Sequence, residues 1–165
     1  MFFRKKSRKK ETAQEPVKSL KAMISGEIIP LEDVADPVFS SKALGEGIAI
    51  RPDGQVITAP CAGKISMIAD TLHAIGITLN NGAELIIHEG LDTVSMNGEG
   101  FKVKVKNGEE ISQGTPILEF DKALIEEKGF AADCILIVTN SDQFPDLTFT
   151  TESSAVQNET EICSF

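Results

Sequence analysis

Histidine, cysteine pairs and long apolar runs are all scarce in this sequence. Its 165 residues include two histidines and three cysteines, and no two cysteines have the C-x-x-C spacing. We therefore expect Cys61, Cys134 and Cys163 to be reduced thiols in a cytoplasmic protein. No apolar run approaches the roughly 20 residues that cross a bilayer, and no signal-peptide core follows the start. We expect a protein that is neither exported nor integral to a membrane.

Basic residues are rare beyond the first ten positions. Six of the 16 lie in residues 1–10, so the remainder carries ten basic and 25 acidic side chains, a formal charge of −15. An acidic body repels nucleic acid, which excludes a nucleic-acid-binding domain, and it suits a partner with a basic face. The basic start M-F-F-R-K-K-S-R-K-K-E either contacts anionic lipid, at up to about 1 kcal/mol per basic residue, or is a disordered solubilising tail.

Short apolar runs separated by turn residues fill the chain from Leu20 onward, which indicates an all-β antiparallel sandwich or barrel. The predicted strands are 22–28, 47–50, 55–58, 63–67, 73–79, 84–88, 101–105, 116–120, 134–139 and 147–151. One helix is predicted over 122–128, capped by Asp121 and ended by Gly129. Beyond Thr151 the sequence is polar without a clear period, and we expect part of it to be disordered.

The two histidines lie at the two ends of a predicted β-hairpin. Residues 73–79 and 83–87 are apolar runs, and Asn80-Asn81-Gly82 between them is a turn signal. A loop of Asn80-Asn81 would place His73 opposite His88, and a loop of Asn81-Gly82 would place His88 opposite Ile75. Both registers put the two imidazoles on one face, within about 4.5 to 8 Å at Cβ. A loop of odd length would separate them.

Two adjacent neutral imidazoles can transfer a phosphoryl group. One ring attacks phosphorus with its unprotonated nitrogen, and the other donates a hydrogen bond to the phosphoryl oxygens. The donor ring must be held in one tautomer, and the hydroxyl of Thr71, on the same predicted face as His73, can hold it.

Three ordered segments carry a family resemblance. They are H-E-G-L-D-T-V-S-M-N-G-E-G-F at 88–101, T-L-H-A-I-G-I at 71–77, and G-E-G-I-A-I-R-P-D-G from residue 45, followed by I-T-A-P-C-A-G-K-I from residue 57. Together they resemble the glucose-type enzyme IIA domain of the bacterial phosphoenolpyruvate:sugar phosphotransferase system, over about residues 18–151. The resemblance implies a barrel-sandwich hybrid with a duplicated hybrid motif and short helices. The expected organisation is a basic flexible tail at 1–17, the IIA domain at 18–151 and a polar C-terminal tail at 152–165.

The resemblance also implies a reaction and its residues. His88 would accept a phosphoryl group on Nε2 from the phosphocarrier protein HPr and pass it to a cysteine of the IIB domain of a sugar permease. His73 would be the supporting imidazole, steadied by Thr71. No cofactor and no metal are required, and a monomer is expected, in the cytoplasm or peripherally at the inner face of the membrane.

The implied partner surface combines an acidic rim with an apolar ring. Asp36 and Asp92 resemble the rim that meets arginines of the partners. Val38, Phe39 and Ile86 correspond to the apolar docking ring. The sequence departs from the family at Ile86 and at Ala69, where some relatives have phenylalanine, and at Glu89, where a hydrophobic residue is usual. These changes put partner preference in doubt, although strand alternation points the Glu89 side chain away from His88.

Other functions remain as alternatives. The unphosphorylated surface can serve as a regulatory binding module that controls transporters or kinases. His73, His88 and Asp92 could bind the zinc ion of a hydrolase, but such sites need further histidines, and the sequence has none. A zinc ion shared with a partner's carboxylate is conceivable. The tripeptide Asp121-Lys122-Ala123 matches the lysine motif of biotinyl and lipoyl carriers, but we interpret it as the start of the helix.

Overall fold

The computed structural model describes residues 15–165, which form mainly β-strands with two short α-helices. The strands are β1 (Ser19–Lys21), β2 (Gly26–Pro30), β3 (Glu46–Pro52), β4 (Val56–Thr58), β5 (Gly63–Ile68), β6 (Ala74–Thr78), β7 (Glu84–Glu89), β8 (Phe101–Val103), β9 (Glu110–Ile111), β10 (Pro116–Phe120), β11 (Cys134–Val138), β12 (Thr148–Phe149), β13 (Ser154–Ala155) and β14 (Glu161–Ser164). The helices are α1 (Pro37–Ser40) and α2 (Lys122–Glu127). Of the predicted strand 22–28, only residues 26–28 lie in a strand, β2; β1 ends at Lys21, before the predicted strand begins.

The strands form three antiparallel sheets. The largest has eight strands in the order β13-β2-β3-β11-β7-β6-β5-β9, and the smaller two have the orders β1-β14-β12 and β4-β10-β8. None of the three closes on itself as a barrel within the described residues. The all-β antiparallel prediction is thus confirmed, as an open-sheet arrangement with short helices.

The large sheet is buried on both faces at its centre. Along β11, Cys134, Leu136 and Val138 pack into the main core, whereas Ile135 and Ile137 belong to a second, smaller cluster on the other face. A strand enclosed on both faces needs apolar side chains at every position, which explains the unbroken run C-I-L-I-V. His88 of β7 pairs with Ile135, which places it over the smaller cluster.

The predicted helix is confirmed, and a second helix was missed. Asp121 caps α2 by accepting a hydrogen bond from the backbone N–H of Leu124, and Gly129 follows the helix with a φ of +88°. In α1, Asp36 is the cap and Pro37 occupies the first turn. In the sequence Asp36-Pro37 is typical of a turn, and a helix of four residues is too short to show a helical period.

Both predicted tails differ from the structure where it describes them. Residues 1–14 of the predicted basic tail lie outside the described residues, but Val17 is held by Asn80, whose Oδ1 accepts from its backbone N–H at 2.8 Å. In the C-terminal segment, β13 pairs with β2 and β14 pairs with β1, and Ile162 and Cys163 are buried. The expectation of partial disorder after Thr151 was therefore wrong. A few buried apolar side chains fix a segment whose overall composition is polar.

Candidate functional site

The hairpin that carries the histidines has a three-residue loop, not the predicted two-residue loop. Ala74 of β6 lies opposite His88 of β7, so the register differs from both predicted registers. The loop is Asn80-Asn81-Gly82, because Leu79 donates its N–H to the Ala83 carbonyl. Gly82 has a φ of +91°, which is the left-handed residue typical of three-residue hairpin loops. The register prediction was therefore wrong.

The two imidazoles nevertheless lie together. Their ring centroids are 4.7 Å apart, and the ring planes are nearly perpendicular at 85°. His73 precedes β6 and follows Leu72, whose φ is +64°. The alternation of a regular strand therefore does not fix the direction of the His73 side chain, and the odd loop does not separate the rings. The backbone still connects the two ends, since the Glu89 N–H donates to the His73 carbonyl at 2.8 Å.

Thr71 holds the ring of His73. The Thr71 Oγ1 and the His73 Nδ1 are 2.8 Å apart, and His73 is buried, with its ring near that of Phe101. Burial lowers the pKa of His73, and a backbone hydrogen bond at Thr71 partly opposes this shift. The ring is therefore neutral at neutral pH. When the Thr71 hydroxyl donates its proton to Nδ1, the ring carries its own proton on Nε2 and can donate it to an oxygen.

His88 is a half-buried neutral imidazole with one enclosed nitrogen. Its Nδ1 is buried and has no hydrogen-bond partner among residues 15–165. Burial, followed by the neighbouring His73, lowers the pKa of His88 to about 4; the Gly90 backbone and Asp36 oppose this shift. At neutral pH the ring keeps a lone pair available for attack.

The predicted partner residues occupy different environments. Asp92 is exposed, Asp36 and Ile86 are half-buried, and 52% of the Val38 surface is exposed. Phe39 differs from the expectation of a docking residue, because it is buried and its ring centroid lies 5.0 Å from that of His88. It is a wall of the histidine site.

Sequence reasoning missed two residues near the site. Val94, in the 3₁₀ turn that follows Asp92, is as exposed as Val38. Thr93, immediately before it, is fully buried. The hydroxyl of Thr93 donates to the Glu89 carbonyl at 2.5 Å. The motif G-L-D-T-V contains both residues, but its spacing alone does not reveal which side chain faces inward.

Glu89 points away from His88, as alternation predicted, and is fully buried in the main core opposite Cys134. Its two carboxyl oxygens form no hydrogen bond with any part of the chain that the structure describes. Burial, and then the nearby Asp133, raise the pKa of Glu89 well above its usual range. At this depth the side chain contacts neither an incoming phosphate nor a partner directly. Ala69, the other departure from the family, is half-buried.

Two further features concern metals and membranes. Across residues 15–165, no three or more histidine, cysteine, aspartate or glutamate side chains are grouped so that they could hold a metal ion. No helix in this part of the chain has both the length and the apolar character that a membrane span requires.

Comparisons with known proteins agree with this geometry. A family profile described as "phosphoenolpyruvate-dependent sugar phosphotransferase system, EIIA 1" matches residues 18–144. A glucose-specific EIIA component of Staphylococcus aureus is 36% identical over 161 residues, 98% of this chain and 96% of that protein. Another, from Oceanobacillus iheyensis, is 45% identical over 121 residues, 73% of each chain.

A solved structure extends the likeness to three dimensions. Glucose permease IIA from Mycoplasma capricolum superposes with a TM-score of 0.76 at 31% identity, covering 91% of this chain and 96% of that one. The chain therefore belongs to the EIIA 1 family of the phosphoenolpyruvate-dependent sugar phosphotransferase system.

Proposed function

We propose that this chain is a phosphoryl carrier of sugar uptake, which accepts a phosphoryl group from HPr on Nε2 of His88. It then donates the group to a cysteine of a permease IIB domain. The observation that carries the proposal is the pair of imidazoles whose ring centroids are 4.7 Å apart and whose pKa values are both lowered. The names of the relatives, which specify glucose, support glucose as the sugar.

Phosphoryl transfer between proteins needs little more than in-line alignment of the donor and acceptor atoms with phosphorus. The Nε2 lone pair of His88 forms a bond to phosphorus while the bond between phosphorus and the donor breaks, and that electron pair leaves with the donor. In the second transfer the cysteine thiolate attacks phosphorus, and the electron pair of the P–N bond returns to Nε2. Because the pKa of His88 is lowered to about 4, no proton has to leave Nε2 before the first attack at neutral pH.

His73 and Thr71 support the transferred group in this proposal. With the Thr71 hydroxyl donating to Nδ1, the His73 ring carries its proton on Nε2. An N–H at that position stabilises charge on the phosphoryl oxygens as it develops. Phe39, whose ring centroid lies 5.0 Å from that of His88, restricts rotation of the nucleophilic ring.

Asp36, Asp92, Val38 and Ile86 form the proposed partner surface. The two carboxylates would meet cationic side chains of HPr and of the IIB domain, and the apolar side chains would be covered in both complexes. The formal charge of −15 beyond residue 10 favours rapid encounter with a basic partner face.

Intact-mass spectrometry tests the phosphoryl transfer directly. After incubation with phosphoenolpyruvate, enzyme I and HPr, we expect one acid-labile phosphoryl group on the wild type and none on His88→Ala. We expect His73→Gln to be phosphorylated but to pass the group on poorly, because the amide replaces the donor imperfectly. A wild type that stays unmodified, yet still binds a transporter or kinase, would replace the carrier function with regulatory binding.

A further inference from the structure

Three asparagine–glycine pairs occur in the chain, at Asn81-Gly82, Asn97-Gly98 and Asn107-Gly108. The glycine of each pair has a positive φ, as expected in tight turns. An asparagine in this context can lose its side-chain amide, because glycine has no side chain that shields its backbone nitrogen from the asparagine Cγ. The rate of this reaction depends on how firmly the fold holds the two reacting groups.

The fold holds both groups of Asn81-Gly82. The Asn81 Oδ1 accepts from the Ala83 N–H at 2.9 Å, and the Asn81 Nδ2 donates to the Val17 carbonyl at 3.0 Å. The Gly82 N–H donates to the Leu79 carbonyl at 3.1 Å. The side chain of Asn81 therefore cannot reach the Gly82 nitrogen without the loss of several hydrogen bonds.

The fold holds one group of Asn107-Gly108. Asn107 is exposed, but the Gly108 N–H donates to the Ile65 carbonyl of β5 at 2.8 Å. That nitrogen attacks only after it has lost its proton. The bond to Ile65 both retains the proton and fixes the peptide on β5.

Neither group of Asn97-Gly98 is held in this way. Asn97 is exposed, and within residues 15–165 neither its side chain nor the Gly98 N–H forms a hydrogen bond. The Asn97 N–H donates to the Val94 carbonyl at 3.3 Å, which is longer than usual. Asn97 has a left-handed φ of +53°, so rotation of its backbone relieves strain.

The reaction of this pair is balanced by water alone. The deprotonated Gly98 nitrogen forms a bond to the Asn97 Cγ, and the bond from Cγ to the side-chain nitrogen breaks, so that ammonia leaves with a proton from solvent. The product is a cyclic imide. Water then adds to one of the two imide carbonyls, and the ring opens to aspartate or to isoaspartate, whose main chain passes through the former side-chain carbonyl.

The Asn97-Gly98 turn contacts the segment that holds His73. A Cβ built on Gly98 would lie 3.5 Å from Cδ1 of Leu72 and 3.9 Å from the carbonyl oxygen of Thr71. Isoaspartate inserts one methylene into the main chain at this contact and adds a carboxylate. Because the interior is closely packed, the inserted methylene displaces Gly98 against Leu72 and thereby disturbs the bond between Thr71 and His73.

We propose that Asn97-Gly98 is a site of spontaneous conversion to isoaspartate, and that the product weakens the support that His73 gives to phosphoryl transfer. The first half depends only on the different hydrogen bonding of the three pairs. The second half rests on the proposed role of His73 beside His88.

Peptide mass spectrometry of the full chain, aged at mildly alkaline pH, tests the first half. A protein isoaspartate methyltransferase with labelled S-adenosylmethionine identifies the isoaspartate product. We expect loss of ammonia at Asn97 to be at least about fivefold faster than at Asn107, the factor that one broken hydrogen bond supplies. Asn81 should react most slowly. Equal rates at the three pairs, or a faster reaction at Asn107 or Asn81, would overturn the site.

Transfer of the phosphoryl group to the IIB domain of a glucose permease tests the second half. Aged wild type should transfer about 10- to 100-fold more slowly than fresh wild type, the usual cost of misplacing a group at the reacting centre. Asn97→Gly keeps the left-handed conformation without an amide, so the aged variant should keep the rate of the fresh variant. Fresh Asn97→Asp has the charge without the inserted methylene, and it should transfer as fast as fresh wild type.

The two proposals can fail separately. Fresh wild type that accepts no phosphoryl group overturns the carrier function, whereas the order of reaction at the three pairs still decides the modification site. Conversion at Asn97 with an unchanged transfer rate leaves the carrier function intact and overturns the effect on His73. Equal losses on ageing in wild type and Asn97→Gly would also overturn that effect.

Discussion

Glu89 holds an ionisable carboxyl in the main core directly after the proposed nucleophile. The groups that act on it include the carboxyl of Asp133, the thiol of Cys134 and the ammonium of Lys122. Burial and the charge of Asp133 favour the neutral acid, while Lys122 only partly opposes them. Keeping a proton on this group becomes costly as the pH rises, because the unfolded chain can release it freely.

We therefore expect Glu89→Gln to gain stability over the wild type as the pH rises. Above the usual pKa near 4.5 the unfolded wild type releases the proton while the folded protein keeps it, so the unfolding free energy of the wild type falls with pH. The expected loss is up to about 1.4 kcal/mol per pH unit, until the pH passes the folded-state pKa. Glutamine has no such proton. Urea titrations from pH 5 to pH 8 should therefore show a growing difference between the unfolding free energies of Glu89→Gln and the wild type.

Glu152→Gln, at an exposed position, is the control and should follow the wild type at every pH. The titrations of His73 and His88 affect wild type and variant alike and cancel in the comparison. Parallel pH profiles for wild type and Glu89→Gln would mean that Glu89 ionises as readily in the folded protein as in the unfolded chain.

At the residue level, the sequence predicted which side chains form the site better than how they reach it. His73, His88 and Thr71 lie together as expected, but the register is different, and the left-handed Leu72 redirects His73. A hydrophobic pattern does not reveal that a non-glycine residue such as Leu72 has a left-handed backbone conformation. The burial of Phe39 was missed for a similar reason, since it depends on how a four-residue helix packs on the sheet.

At the level of elements, local capping chemistry determines the short helices. Neither α1, with four residues, nor α2, with six, is long enough to be stable on propensity alone. Each has an aspartate at its N-cap, whose side chain accepts a backbone N–H of the first turn. The cap of α2 could be predicted because Gly129 also marks its end, whereas α1 offered only Asp36-Pro37.

Replacing Asp121 by alanine should lower the free energy of unfolding by about 1 kcal/mol, the usual value of an N-cap hydrogen bond. Asp121→Asn retains an oxygen that accepts from the N–H of Leu124, and it should lose only a few tenths of that amount. Urea denaturation of the three proteins measures the difference. An equal loss in both variants would show that the negative charge, not the hydrogen bond, stabilises α2.

At the scale of the whole molecule, the C-terminal segment completes the sheets. The family profile ends at residue 144, yet three strands follow it. β13 pairs with β2 and β14 pairs with β1, while β12 pairs with β14. The side chain of Gln157 adds hydrogen bonds to the carbonyls of Met23 and Val56. The segment after residue 144 is therefore part of the folded domain. Two- to four-residue strands in a polar segment give no periodicity that a sequence pattern can detect.

Ile162 and Val156 test whether this segment belongs to the core. Ile162 is fully buried, whereas 52% of the Val156 surface is exposed. Ile162→Ala should lose about 2 to 5 kcal/mol of unfolding free energy, because truncation leaves a cavity that the surrounding strands cannot fill. Val156→Ala should change it by no more than about 0.5 kcal/mol. Equal small losses in urea denaturation would mean that the packing of residues 152–165 adds little to the stability of the domain. A large loss confined to Ile162→Ala would show that this segment is part of the core.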